Sequence, residues 1–296
     1  MKKRILITGA TGFAGSWLAD LLAKDSQNEL FGTSLTANAN KNIYSLDLTR
    51  QDSVNNLLKE IKPRQIYNLA AFTSPKESFD KPQEIVSNNV LSLIYLFEAI
   101  IKIRIKPKIL IISSAEIYHP VNPYAVSKLA QDYLAQQYFK QNSLPVIIVR
   151  PHNHTGPRQS PSFVIPYFAS QIAAIEKGLQ PSLIQVGNLS AVRDFTDVRD
   201  MVSAYVLAMN QGLPGQAYDL GSNHGYAMKK LLDLLLSFSS AKIAIVVDKN
   251  RFSPVEIPRL ICHNKAFTKL TGWQPAIKIE QTLLDTLNYW RQQYEK

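Results

Sequence analysis

Short apolar runs alternate with longer amphipathic stretches along the first half of the chain. The runs at residues 4–8, 30–33, 44–48, 65–71, 108–112 and 146–150 are rich in Ile, Leu and Val and are too short for stable helices. Between them apolar residues recur at helical spacing, as in Trp17, Leu18, Leu21 and Leu22, and again in Leu93, Leu96, Phe97 and Ile100. Strict β/α alternation predicts a doubly wound parallel sheet with helices on both faces. Beyond about residue 155 the alternation lapses. Helices are expected near 163–177, 197–211, 226–238 and 279–294, with short strands at 184–186 and 217–220. This part reads as a smaller, mostly helical C-terminal lobe.

Composition narrows the class. Of 296 residues, 46% are hydrophobic and 19% charged, the balance of an ordinary globular protein. No uninterrupted apolar run approaches the roughly 18 residues that span a bilayer. The basic start, Lys2-Lys3-Arg4, resembles the head of a signal peptide, but the apolar stretch behind it breaks at Thr8-Gly9. Export is therefore not expected. The single cysteine, Cys262, cannot form an internal disulfide, which fits a reducing cytoplasm. A formal net charge of +10 invites a polyanionic partner. Only the first few residues cluster, however, and the other cations are scattered along the sequence, so neither a nucleic-acid nor a membrane partner is expected. An anionic small substrate needs only a few well-placed cations.

The first strand runs into Gly9-Ala10-Thr11-Gly12-Phe13-Ala14-Gly15, followed by a helix expected from Ser16 to about Lys24. Glycines there let the backbone turn sharply and approach a pyrophosphate, while the helix start offers unpaired N–H groups to it. In strand-turn-helix context this is the mark of a Rossmann-type dinucleotide site. Residues 1–155, with parts of 190–225, are then the dinucleotide-binding domain, and 156–296 is largely the substrate-binding lobe. After the second strand come Ser34, Leu35, Thr36, Ala37 and Asn38, with no acid to repel a 2′-phosphate. NADP(H) is favoured and NAD(H) remains possible. Asp47, beside Leu48 at the end of the third run, either contacts the adenine or caps the helix from Asp52. The fourth run ends in Leu69, Ala70 and Ala71, small enough for a flat cofactor to lie against.

The chemistry concentrates at Ser113-Ser114-Ala115-Glu116 and Tyr124-Ala125-Val126-Ser127-Lys128. Four positions apart on a helix opened by Pro123, Tyr124 and Lys128 leave the same face. A neighbouring ammonium, with the positive charge of a bound cofactor in a partly desolvated cleft, favours the phenolate and makes Tyr124 a proton donor-acceptor near neutral pH. Ser114 adds a hydroxyl for a carbonyl oxygen. His152 and His154 stand two apart with no third ligand in view, so no metal site is expected.

Gly9-x-x-Gly12-x-x-Gly15, Asp47-Leu48, Asn68-Leu69-Ala70-Ala71, Asn89, Ser113-Ser114, Tyr124-x-x-x-Lys128, Arg150-Pro151-x-Asn153 and Arg193-Asp194-Phe195 together resemble the extended short-chain dehydrogenases/reductases that act on nucleotide sugars. The segments 153–164 and 186–200 look most like the GDP-4-dehydro-6-deoxy-D-mannose reductases. The resemblance implies hydride delivery to the C4 ketone of a GDP-linked 4-keto-6-deoxy sugar, giving GDP-D-rhamnose or its C4 epimer. In it, Tyr124 is the acid, Ser114 holds the oxygen, Lys128 binds the nicotinamide ribose and Glu116 holds sugar hydroxyls. It adds Asn89 to the cofactor residues and assigns Asn153, Phe163, Arg158, Val186, Arg193, Arg251 and Glu256 to the sugar nucleotide. It also implies a homodimer through helices at 83–103 and 124–141. GDP-mannose 4,6-dehydratase, for which Glu116 speaks, and nucleotide-sugar 4-epimerase are the related alternatives; a non-enzymatic cofactor-binding protein on the same fold is disfavoured because Tyr124 and Lys128 are both present. Only ten positions separate Ser114 from Tyr124, fewer than the family usually has, and Arg251 is displaced by one from the family's Arg-Pro-x-Glu pattern.

Overall fold

A computed structural model of the protein describes all residues except Met1, Ala37, Ala39 and Lys296. In chain order it contains β1 (Lys3–Thr8), α1 (Phe13–Ala23), β2 (Asn28–Ser34), β3 (Ile43–Ser45), α2 (Gln51–Ile61), β4 (Gln65–Asn68), α3 (Pro75–Asp80) and α4 (Pro82–Ile103). Then follow β5 (Lys108–Ile112), α5 (Pro123–Asn142), β6 (Val146–Pro151), β7 (Asn153–Thr155), α6 (Val164–Glu176), β8 (Leu183–Val186), β9 (Val192–Asp197) and α7 (Val198–Gln211). The remainder is β10 (Ala217–Leu220), β11 (Gly225–Ala227), α8 (Met228–Ser237), β12 (Ala244–Val247), β13 (Arg259–Leu260), α9 (Lys265–Thr271) and α10 (Ile279–Gln293).

Two compact units emerge. The first comprises residues 1–151, 202–220 and 265–273. Its seven strands form one sheet in the order β10-β6-β5-β4-β1-β2-β3, every pair parallel. The reversal of order between β1 and β4 places the ligand crevice at the strands' carboxyl ends, where β1, β4 and β5 finish. Ile5, Leu6 and Ile7 are buried on both faces of the sheet, as a central parallel strand requires. Helix α4 has the length and hydropathy to cross a membrane. Here that composition is explained by packing, since Leu93, Leu96, Phe97 and Ile100 join the core with α2 and the sheet. Strand β10 pairs with β6 and extends the main sheet.

The second unit holds residues 152–201, 221–264 and 274–296. Helices α6, α8 and α10 pack around Ile165, Phe168, Ile172, Leu231, Leu235, Leu283 and Leu287. Strand β9 is its organiser, pairing with β7, β11 and β13. Asp194 on β9 is fully buried, and its carboxylate accepts hydrogen bonds from Ser222 and from the Cys262 N–H. Asp197, the residue before α7, accepts from the Arg199 N–H at 2.8 Å, a helix-capping role.

Candidate active site

The glycine turn has the shape its sequence predicts, with one correction. Gly9 has φ 68°, in the left-handed region, and a Cβ there would stand 3.1 Å from Ala70. Helix α1 starts at Phe13, so Gly15 lies inside its first turn; a Cβ on it would approach the Gly9 carbonyl oxygen to 2.1 Å. Close contact with the turn, rather than loop conformation, is what requires glycine at 15. No side chain caps α1, so Ala14 and Gly15 keep backbone donors available to a phosphate. Beside them, Thr8 donates to the Asn68 side chain at 2.9 Å and accepts from the Ala70 N–H, fixing the small-residue edge against β1. This cradle, which side chains would fill, fits a dinucleotide.

At the end of β2 stands a group of hydroxyls. Thr11 donates to Ser34 at 3.0 Å, and Ser34 also contacts the Thr36 hydroxyl and N–H. Among the described residues between 34 and 41 there is no acid. Ala37 falls outside the described residues. Asp47 accepts from the Thr49 N–H and hydroxyl at 2.8 and 2.7 Å, and those bonds hold its carboxyl below the usual range. It organises the turn leading into α2, and Leu48 is buried in the core. Asn89 is fully buried, bonded to both the N–H and the carbonyl of Phe72 and to Ser127. It therefore ties the strap after β4 to α5.

The reacting side chains assemble at the carboxyl end of β5. Ser114 caps a 3₁₀ turn, Ala115–Tyr118, accepting from the Glu116 N–H at 3.1 Å, and it hydrogen-bonds the Tyr124 phenol. Asn122 does two things at once: its carbonyl caps α5 at the Ala125 N–H, and its amide donates to Glu116 Oε2 at 3.0 Å. The shortened connection is thereby stapled into a tight arc that keeps Glu116 beside Tyr124. One turn along α5, Lys128 is 4% exposed and donates to the Ile112 carbonyl at 2.7 Å. Among the described residues it has no ion-pair partner. A further turn on, Asp132 receives both the Nε and an Nη of Arg150 on β6, whose other nitrogen meets the Tyr118 hydroxyl. Tyr118 in turn donates to Asp219 on β10. Arg150 thus links the helix carrying Tyr124 and Lys128 to the turn carrying Ser114 and Glu116. Sequence reading placed Arg150 in a motif but missed Asp132, Tyr118 and Asp219, whose partners lie 18 to 101 positions away.

Burial, and then the Glu116 charge, push the Tyr124 phenol above its ordinary value, against a smaller lowering by Ser114. Burial lowers Lys128 to about 7. With the protein's own groups alone the phenol is therefore a protonated acid, because desolvation outweighs the neighbouring amine. A protonated phenol is the form a ketone reduction needs at the start.

In the second unit, Arg251 lies 4.8 Å over the Tyr167 ring and 3.7 Å from Asp248, despite its displaced sequence position. Its backbone carbonyl borders Gly187, where a Cβ would come within 2.8 Å. Asn188 donates to Glu256. Phe163, at the N-terminal end of α6, accepts from the Tyr167 N–H through its carbonyl. Phe163, Arg251 and Glu256 therefore surround the turn after β8. Val186, at 1% exposure, packs in the core, and Tyr167 and Asn188, not singled out in the sequence, stand at the turn beside it. Asn153 lies on β7 opposite Phe195 of β9, and Arg193 is two residues earlier on β9. Arg158 is exposed, with φ 75°.

Comparison with known proteins adds to this geometry. The family model described as GDP-mannose 4,6 dehydratase matches residues 6–286. The chain is 33% identical to the GDP-6-deoxy-D-mannose reductase of Pseudomonas aeruginosa, over 98% of each sequence. The solved structure of RMD from Pseudomonas aeruginosa complexed with NADPH superposes with a TM-score of 0.88 at 31% identity, covering 99% of this chain and all of that one. The UDP-glucuronic acid 4-epimerase of Bacillus cereus, solved with UDP-glucuronic acid and NAD, is similar at a TM-score of 0.87 and 25% identity, over 98% of this chain and 100% of the other.

Proposed function

This chain belongs to the GDP-mannose 4,6 dehydratase family of extended short-chain dehydrogenases/reductases, NAD(P)-dependent enzymes acting on nucleotide sugars, and from that premise we propose that it is a reductase. Its substrate is a GDP-linked 4-keto-6-deoxyhexose, GDP-4-dehydro-6-deoxy-D-mannose, reduced at C4 to GDP-D-rhamnose or the C4 epimer. The observation that carries this reading is the hydrogen-bonded Ser114–Tyr124 pair with Lys128 one turn away, in a chain whose whole length matches a reductase. A reduced nicotinamide, when bound, supplies the hydride. Ser114 holds the carbonyl oxygen, Tyr124 gives it a proton, and the Lys128 ammonium stabilises the phenolate left behind. NADP(H) is favoured over NAD(H), because hydroxyls and no acid end β2.

The sugar nucleotide is held by Asn153, Arg158, Arg193 and the residues around the turn after β8. The protein works in the cytoplasm as a homodimer through α4 and α5, on which Leu91, Val126 and Tyr133 are exposed apolar side chains. Glu116, held by Asn122, supports a second reading as a GDP-mannose 4,6-dehydratase. One assay separates the two. With GDP-4-keto-6-deoxymannose and NADPH or NADH, loss of reduced-nicotinamide absorbance is expected. No oxidation of either cofactor would end the reductase reading, and turnover of GDP-mannose without added reductant would replace it with the dehydratase.

A further inference from the structure

The cations scattered along the sequence are not scattered in the fold. In a parallel sheet, strand starts and the carboxyl ends of the connecting helices share one edge, opposite the ligand crevice. The Arg64 N–H bonds the Arg4 carbonyl and the Lys108 N–H bonds the Arg64 carbonyl, so the entries to β1, β4 and β5 lie side by side. Lys62 ends α2 and Arg104 ends α4, both at left-handed positions with φ 47° and 58°. From Lys102 to Lys108 the chain alternates basic and apolar residues without an acid; Ile103 and Ile105 turn inward against the core while Lys102, Arg104 and Lys106 are exposed. Among the described residues, Lys62, Arg64, Arg104 and Lys106 make no ion pair. Of the carboxylates on this edge, Glu60 and Glu98 accept hydrogen bonds from Tyr44 and Tyr138, while Asp25 and Glu29 stand at the entry to β2, Glu29 opposite Arg4.

The helix dipole accounts for one cation at each helix end, worth about 0.3–1 kcal/mol. It does not account for Arg64, Lys106 or Lys108, which stand before or at strand starts. The left-handed positions of Lys62 and Arg104 would suit Gly or Asn better, so local backbone geometry does not call for basic residues there either.

We propose that this rim is a docking surface for an anionic phospholipid leaflet. Its turns are short and present no helix to a nucleic-acid groove, and Tyr44 and Tyr138 are engaged with Glu60 and Glu98. The exposed Lys62, Arg64, Lys102, Arg104 and Lys106 complement an anionic surface and give reversible, salt-sensitive attachment. The surface lies away from the catalytic side chains, and the inference stands whether or not the reductase assignment does.

The test is sedimentation of the full chain with vesicles of phosphatidylcholine alone or with about one-third phosphatidylglycerol, at about 0.1 M and about 1 M salt. Binding is expected only to anionic vesicles at low salt. The triple variant Arg64→Glu, Arg104→Glu, Lys106→Glu should bind at least about tenfold less, with circular dichroism and nicotinamide-site affinity unchanged. Equal binding to neutral vesicles, no binding to anionic ones, wild-type binding by the triple variant, or retention on duplex DNA but not on vesicles would each overturn the proposal. If the triple variant loses its fold, the single variant Lys106→Glu takes its place, with a smaller loss at low salt expected and no loss contradicting it.

Discussion

Tyr124→Phe is expected to lower kcat by about 10³, within the range that a positioned acid contributes, while changing cofactor affinity less than about threefold. The ring is 8% exposed and its hydroxyl is held by Ser114, so phenylalanine fills the same space and removes only the proton donor. Burial and Glu116 raise the phenol's pKa, keeping it protonated through the neutral range. The loss should therefore appear at every pH from about 6 to 8, instead of vanishing on the acid side. Single-turnover kinetics at saturating sugar would check this. A variant retaining more than about a tenth of the wild-type rate would assign the proton to another group, Glu116 being the nearest.

Lys128→Met is expected to abolish most turnover and yet stabilise the unliganded protein. The ammonium is buried and its pKa falls to about 7 from an ordinary 10.5. Below pH 7 lysine is charged in both folded and unfolded states, so the full desolvation cost is present. Between 7 and 10.5 the unfolded chain binds the extra proton, stability rises with pH, and the cost disappears above 10.5. That cost is at most about 5 kcal/mol, reduced in the variant by loss of the bond to the Ile112 carbonyl. The variant's midpoint for denaturant unfolding should therefore exceed wild type most at pH 6–7 and converge with it near pH 10. In the wild type, kcat/KM should fall as pH rises through about 7 and Lys128 loses its charge. Equal stability at pH 6, with kcat/KM flat to pH 9, would mean the amine is not desolvated as described.

Much of this site was legible because its signals are local. The glycine turn, the Pro123-Tyr124 helix start and the four-residue step to Lys128 each fit within one strand-turn-helix or one helical turn, where sequence spacing fixes geometry. What sequence reading missed depends on partners far along the chain. Nothing in Ala217–Leu220 says that it joins β6 in the main sheet, because a four-residue run carries no address. The motif Arg193-Asp194-Phe195 lies within strand β9, with Asp194 buried against residues 28 and 68 positions away, which its sequence does not disclose. Val186 packs in the core, since the alternation of β8 turns it inward. Adjacency of Tyr124 to a lysine is visible in sequence, whereas the burial that raises the phenol is not.

The central claim is that a hydride reaches the sugar's C4 carbon while Tyr124 protonates the oxygen on it. Reduction of GDP-4-keto-6-deoxymannose with NADPH deuterated at the transferable position, followed by nuclear magnetic resonance of the product, tests it directly. The account predicts one deuterium at C4 in the wild type and almost none in Tyr124→Phe. Deuterium at C6, or an unlabelled product, would contradict it.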